Sequence, residues 1–455
     1  MIPRRVAAAA VFVATLAAAA SAHAYVIQKT SGGKDVRWFY MPEDFFIDTH
    51  GYSQITDGSL LTAEQASFTP WADVPQCDAS YTLKTSSHGV SDIFDSSSNA
   101  PVRDRINEMA FVEDDWAGRN LAQSLIALTF TYFSDSSGKI LENDIVANGV
   151  DYVWTDTDTN VQTDVRNFLT HEVGHSYGLG HNPDDPEATM FPTGTQGETK
   201  KRDLDGDDIA GIQHSYPPGC CKHTRTGDFL AMFGCDVAPR PLSPWPWIVT
   251  IAGIAAAVLF RRRTARSRAA ASVLLGASLL AAAGSARATV AVRMPLESLV
   301  AEADVVAHGT VVYTQPLVLP TGPILTLVQI EVADSWKGNA PRVLTLVELG
   351  GVGPDDVAMH VEGAPVYQQG DEVVVFATAL RGGLASEFPD AYRTSGFSQG
   401  EFRVLRGAGA PPRVVRDLGG MMRVAAGREG FIPVVGDELS GLSLADLSRA
   451  VQQTR

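Results

Sequence analysis

The sequence predicts an α/β (α+β) domain over residues 25–217, followed by a smaller all-β-rich domain over residues 289–455. Three observations predict this. Strand-like and helix-like runs are mixed between residues 25 and 216. The composition then shifts to Cys, Pro and Gly over 218–244, and to apolar residues over 245–288. Beyond 289, β-branched runs punctuated by Gly and Pro dominate.

In the first domain, residues 36–47 alternate apolar and polar side chains around Trp38, Phe39 and Tyr40, which predicts a strand. Residues 62–71 carry Ala63, Ala66 and Phe68 and predict a short helix capped by Thr62. Residues 78–85 alternate again, and residues 125–133 are β-branched and aromatic, so each predicts a strand. Residues 138–148 offer a turn and then a strand. Over 162–176, Val165, Phe168, Leu169 and Val173 fall at helical spacing behind a cap at Thr163 or Asp164. A last helix spans 207–216 and is stopped by Pro217 and Pro218. In the second domain, strands are expected over 305–312, 325–332, 343–347 and 372–377, as a small barrel or sandwich. A closing helix over 443–452 has Ser443 as its cap. His308 and His360 are isolated and read as exposed or satisfied histidines.

The formal net charge is −16, which excludes a nucleic-acid partner, because phosphate binding needs a basic face. The acidity is uneven: residues 25–235 hold 32 Asp and Glu against 14 Lys and Arg. Residues 1–24 read as a secretory signal peptide, with Arg4 and Arg5 before an apolar run and Ala22-His23-Ala24 as the cleavage site. Export permits disulfides, and Cys77, Cys220, Cys221 and Cys235 allow three full pairings. The 218–244 stretch reads as a stalk. Over 245–288 two apolar segments flank an Arg-rich loop. They form either a transmembrane hairpin with the loop cytoplasmic, or a sorting signal followed by a second signal peptide, as in two exported proteins joined end to end. The expected location is extracytoplasmic: secreted, or held at the membrane or cell surface.

The string that carries chemistry is His171-Glu172-Val173-Gly174-His175-Ser176-Tyr177-Gly178-Leu179-Gly180-His181. On a helix, His171 and His175 sit four apart and project from one face toward one metal. Gly178 lets the chain leave the helix in a left-handed conformation, so His181 can return as a third ligand. Three protein nitrogens and an open position make the catalytic form of a zinc site. Glu172, beside the first ligand, can take a proton from a water at that position.

This motif resembles that of the metzincins, in the matrixin form. Ala188-Thr189-Met190-Phe191-Pro192 resembles the family's Met-turn, and residues 204–216 its C-terminal helix. Residues 138–145 are similar to the strand bordering the family's substrate cleft, and Phe68 to Trp71 fits the end of its first helix. The resemblance covers residues 35–217. It implies a twisted mixed sheet with three helices, and a cleft in which a protein or peptide substrate lies extended. It implies one catalytic Zn2+ on His171, His175 and His181, Glu172 as general base, and Gly178 and Met190 as structural supports. The prime-side pocket would be walled by residues 190–194.

The sequence departs from the family in several places. No cysteine-switch propeptide precedes the domain, and Cys77 reads as a disulfide partner. The second zinc site of many matrixins is not visible, His88 being the one histidine between residues 85 and 164. Asp156, Asp158 and Asn160, and again Asp203, Asp205 and Asp207, alternate oxygen ligands as part of a Ca2+ loop does, without the full pattern; a solvated acidic turn competes with calcium at both. The expected activity is that of an exported zinc metalloendopeptidase. The alternative is a surface binding or adhesion protein whose protease domain processes only its own chain.

Overall fold

The structure is a computed structural model that describes residues 25–87, 89–220, 292–407, 409–416 and 439–454. The signal peptide, His88, Cys221, Cys235 and the 245–288 segment lie outside the described residues. Among the described residues, no helix is long and apolar enough to cross a membrane.

The first part contains β1 (Val26–Ile27), β2 (Glu43–Asp48), β3 (Tyr81–Ser86), β4 (Glu108–Val112), β5 (Ala127–Ser134), β6 (Ile140–Asn148), β7 (Trp154–Thr155), β8 (Thr163–Asp164) and β9 (Leu179–Gly180). Its helices are α1 (Ser59–Ala66), α2 (Thr69–Ala72), α3 (Val90–Ile93), α4 (Val165–Ser176) and α5 (Gly206–Ser215). The main sheet is mixed. β3, β2, β4 and β6 run parallel, and β5 is antiparallel to β6. Helix α4 packs against β5 and β6, so its buried face presents residues 165–176 to the sheet.

Two expectations are corrected and one strand is new. The strand expected over 36–47 begins only at Glu43. Residues before it spend their backbone groups on distant loops: Val36 N donates to Gln28 O at 2.9 Å and Arg37 N to Gly138 O at 2.9 Å. The helix expected over 62–71 starts at Ser59, after Gly58, and is broken before Thr69. Pro70 lacks the N–H that a continuous helix would need and sits instead in the first turn of α2. Strand β4 was not expected. All five of its residues are buried, so the alternation that marks a half-buried strand is missing.

The second part holds β10 (Val305–Val318), β11 (Ile324–Lys337), β12 (Val343–Leu349), β13 (Gly351–Val352), β14 (Val357–Val361), β15 (Glu372–Ala379), β16 (Tyr392–Thr394), β17 (Glu401–Leu405) and β18 (Arg413–Arg416). Strands β10, β11, β12, β16 and β15 follow one another around a closed barrel, because β10 also pairs with β15. Helices α6 (Leu296–Glu302), α7 (Gly382–Glu387) and α8 (Leu444–Gln453) accompany it, and Ser443 caps α8.

The two parts are not separate bodies. Strands β13 and β14 leave the barrel and extend the first part's sheet, giving the order β13-β14-β5-β6-β4-β2-β3. One apolar cluster contains Phe94, Phe130 and Tyr132 from the first part with Leu325, Met359 and Phe397 from the second. Asn120 and Arg381 exchange two hydrogen bonds across the boundary, at 3.0 and 2.8 Å.

Buried carboxyls give the first part a pH signature. Glu64 on α1 is 1% exposed. Burial, with a smaller push from Asp48, raises its pKa from 4.5 to about 8. A folded pKa raised above the unfolded one contributes stability that is complete below about 4.5 and lost as pH rises through about 8. Glu64→Gln keeps the shape without the charge. It is expected to stabilise the chain by about 2 kcal/mol at pH 8 and by far less at pH 4.5, read from urea midpoints. An equal gain at both pH values would contradict this.

Candidate metal centre

Helix α4 is fixed at its start by Asp164, whose Oδ1 accepts from Asn167 N at 2.7 Å and from Arg202 Nε at 2.8 Å. From this cap the helix carries His171, Glu172 and His175 on its buried face. It ends at Tyr177, and Gly178 follows with φ +86°. β9 then pairs antiparallel with β1 and delivers His181.

The three imidazoles converge. Nε2 of His171 lies 2.6 Å from Nε2 of His181 and 2.9 Å from that of His175, and the last pair is 3.0 Å apart. His171 Nδ1 donates to Thr189 O at 2.5 Å and His175 Nδ1 to Leu179 O at 2.9 Å. These bonds put the ring protons on Nδ1 and turn the Nε2 lone pairs toward one point. Burial lowers the pKa of all three, that of His175 to about 4, so they are neutral ligands at pH 7. Three buried lone pairs facing one another call for a cation. A tetrahedral zinc ion at about 2.0–2.1 Å holds its ligands roughly 3.3 Å apart, so the rings need open by only a few tenths of an ångström. Among the described residues, this triad is the one group of three or more side chains placed to share a metal.

Glu172 does not point its carboxylate into the ligand set. Its Oε2 accepts from Thr129 Oγ1 on β5 at 2.8 Å, and the same hydroxyl donates to the Glu172 carbonyl at 3.1 Å. Met190 lies beneath the site, close enough to α4 that a Cβ on Gly174 would meet its Sδ at 2.3 Å. The turn carrying Thr189 and Met190 hangs from Asp208 on α5. That carboxylate accepts from Thr189 N at 2.7 Å, Met190 N at 3.1 Å and Asp205 N at 2.9 Å. Burial pushes the Asp208 pKa up to about 6, against the pull of these three donors. Lys201 is fully buried nearby and donates from Nζ to Phe191 O; burial lowers its pKa to about 8. Thr129, Asp208 and Lys201 were not picked out from the sequence. For Asp208 a signal existed, since it closes the capping box opened by Asp205.

Other predicted ligands are used differently. Asp156 accepts from Ser59 Oγ, and Asp158 pairs with Arg202 at 2.5 Å. Asp205 caps α5, and the Asp203 carbonyl accepts from Thr189 Oγ1 at 2.9 Å. Cys77 makes no disulfide among the described residues, and Cys221 and Cys235 lie outside them. Arg37 Nη1 donates to the Cys220 sulfur at 3.1 Å, and Cys77 donates to Ile212 O at 3.7 Å. His308 is a satisfied histidine between Asp334 and Glu372. His360 is not isolated: its Nε2 lies 3.1 Å from Glu362 Oε1, and both side chains act electrostatically on His175.

Comparison with known proteins agrees with this geometry. Residues 122–217 match the family model described as Matrixin. The chain is 36% identical over 124 residues to Metalloendoproteinase 2-MMP of Arabidopsis thaliana, covering 24% of this chain and 32% of that protein. It is 51% identical over 53 residues to Matrilysin of Homo sapiens, covering 11% and 20%. It is 45% identical over 65 residues to Neutrophil collagenase of Homo sapiens, covering 14% and 13%. The chain thus spans about a third or less of the length of these relatives. It carries a matrixin-like metallopeptidase domain, and its histidine triad fits the catalytic zinc of that family.

Proposed function

We propose that this protein is an exported zinc metalloendopeptidase that hydrolyses peptide bonds in proteins, with His171, His175 and His181 holding the metal and Glu172 as general base. The observation that carries it is the convergence of three neutral, buried Nε2 atoms beside a carboxylate that is not a ligand. When bound, zinc supplies a Lewis acid for the scissile carbonyl and lowers the pKa of a water toward about 7. The remaining work falls to the chain. Glu172 takes a proton and returns it to the leaving amine, and Thr129 fixes the carboxylate's orientation through Oε2. Thr189 and Leu179 hold the rings of His171 and His175 in the tautomer that leaves Nε2 free to coordinate. Met190 and Asp208 support Thr189 from below. A substrate would lie extended along β5, whose backbone provides the pairing, and not along residues 138–145 as the resemblance implied, because these run into β6, which is paired on both sides. The signal-like residues 1–24 support export, and tethering through 245–288 is part of the same reading.

Metal removal tests it. Zinc-loaded protein is expected to cleave internally quenched peptides, to lose this on chelation and to regain it on adding one equivalent of zinc. Stoichiometric zinc without cleavage, in a form with the edge of β5 free, would sink the proposal.

A further inference from the structure

The edge of β5 is occupied by the chain itself. Strand β14 pairs with it antiparallel, from Val357 opposite Ser134 to Val361 opposite Phe130. The next residue of β5 is Thr129, which holds Glu172, and the next beyond β14 is Glu362. The strand therefore runs along the edge toward the base and the histidine triad. Glu362 is 1% exposed, and its charge reaches His175, as does that of His360. His171, Glu172, His175 and His181 are all fully buried. A site that must admit a peptide is closed in this structure.

The contact is built and anchored. Met359 and Val361 are buried in one apolar cluster with Phe130 and Tyr132 of β5. At the far end, Asp356 accepts from Ser136 N, Ser136 Oγ and Ser134 Oγ, each at 2.7 Å, and its carbonyl accepts from Asp135 N at 2.9 Å. Near the metal ligands the strand stops being extended. Ala364 N donates to Val361 O at 3.1 Å, Gly363 has φ +80°, and the Gly363 carbonyl is taken by Ser398 N at 3.0 Å. A scissile segment would stay extended with its carbonyl turned to the metal. This one turns away and has its carbonyl occupied, so it resists cleavage while excluding a substrate.

We propose that residues 357–362 of the C-terminal barrel are an intramolecular inhibitor, lying in the place of a substrate along β5 and keeping the peptidase latent while the barrel is docked. This rests on the peptidase reading above. It gives the second half of the chain a role and supplies a source of latency.

The test uses the zinc-loaded full chain and a peptide hydroxamate as an active-site probe, so that access is read separately from turnover. In Met359→Asp, a charge placed in the shared apolar cluster expels β14. Hydroxamate affinity is expected to rise at least 10-fold and amides of residues 129–134 to exchange faster, with β2, β4 and β6 still protected. In Ser134→Cys/Val357→Cys, a disulfide across directly opposed residues locks the strand. The oxidised form is expected to bind no hydroxamate, and a phosphine reductant to restore the native level. Should Met359→Asp lose protection throughout, the locked variant alone decides. Equal hydroxamate binding by native, Met359→Asp and oxidised locked protein overturns the inhibitor and leaves the peptidase reading standing. Tight binding in Met359→Asp without turnover of any peptide does the reverse.

Discussion

Glu172→Ala is expected to keep its zinc and lose peptide turnover by at least the ~10²–10⁴-fold typical of lost acid–base catalysis. Zinc stays because the ligand set is the three Nε2 atoms, and the Glu172 carboxylate is instead held by Thr129. The helix stays because alanine is the best helix former and position 172 is inside α4. The cost to the fold includes the buried hydrogen bond from Thr129, about 1 kcal/mol. Glu172→Gln preserves the acceptor for Thr129 but cannot take a proton, so it should be as inactive as alanine and more stable. The pair separates chemistry from packing. Each is to be measured as kcat/KM and zinc content, in the native chain and with Met359→Asp present, so that a covered site is not mistaken for a dead one. Activity within 10-fold of the parent in either variant would remove Glu172 from the mechanism.

The site was legible in the sequence where its geometry is local. His171, Glu172 and His175 lie within five residues on one helix, and Gly178 and His181 follow within the next six residues, so spacing alone brings the ligands together. The partners that hold Glu172 and the turn carrying Thr189 and Met190 sit on other elements. Thr129 sits on β5, Asp208 on α5, and neither has a spacing relation to the histidines. His360 lies 185 positions from His175, and only the pairing of β14 with β5 carries it to the site. Strand β14 is buried at three of its five positions and pairs with β5 of the first part, a tertiary fact that local pattern does not encode. The barrel strands were placed by their apolar centres but underestimated in length. β10 and β11 each run on to 14 residues through stretches that are exposed or half-exposed, where no buried face enforces alternation.

A backbone position decides whether the third ligand arrives, and Gly178→Ala tests it. Gly178 has φ +86°, a left-handed conformation that costs a residue with a Cβ roughly 1–2 kcal/mol. The added Cβ would also lie 2.1 Å from the Val36 carbonyl oxygen. That oxygen cannot simply rotate away as a side chain would. Val36 N is bonded to Gln28 O at 2.9 Å, and Gln28 N to the Gly178 carbonyl at 2.8 Å. Relieving the clash therefore pulls on the β1–β9 pairing that delivers His181. At Gly174 the opposing atoms are the Met190 and Trp71 side chains, which can shift. At Gly206 nothing lies within 4 Å, so Gly206→Ala is the control. Gly178→Ala is expected to destabilise the chain by about 3 kcal/mol or more. It should also weaken zinc at least 10-fold in competition with a chromophoric chelator, while Gly206→Ala keeps native affinity. Native zinc affinity in Gly178→Ala would mean that His181 reaches the metal without this turn, and that two histidines on α4 do more of the holding than the structure assigns to them.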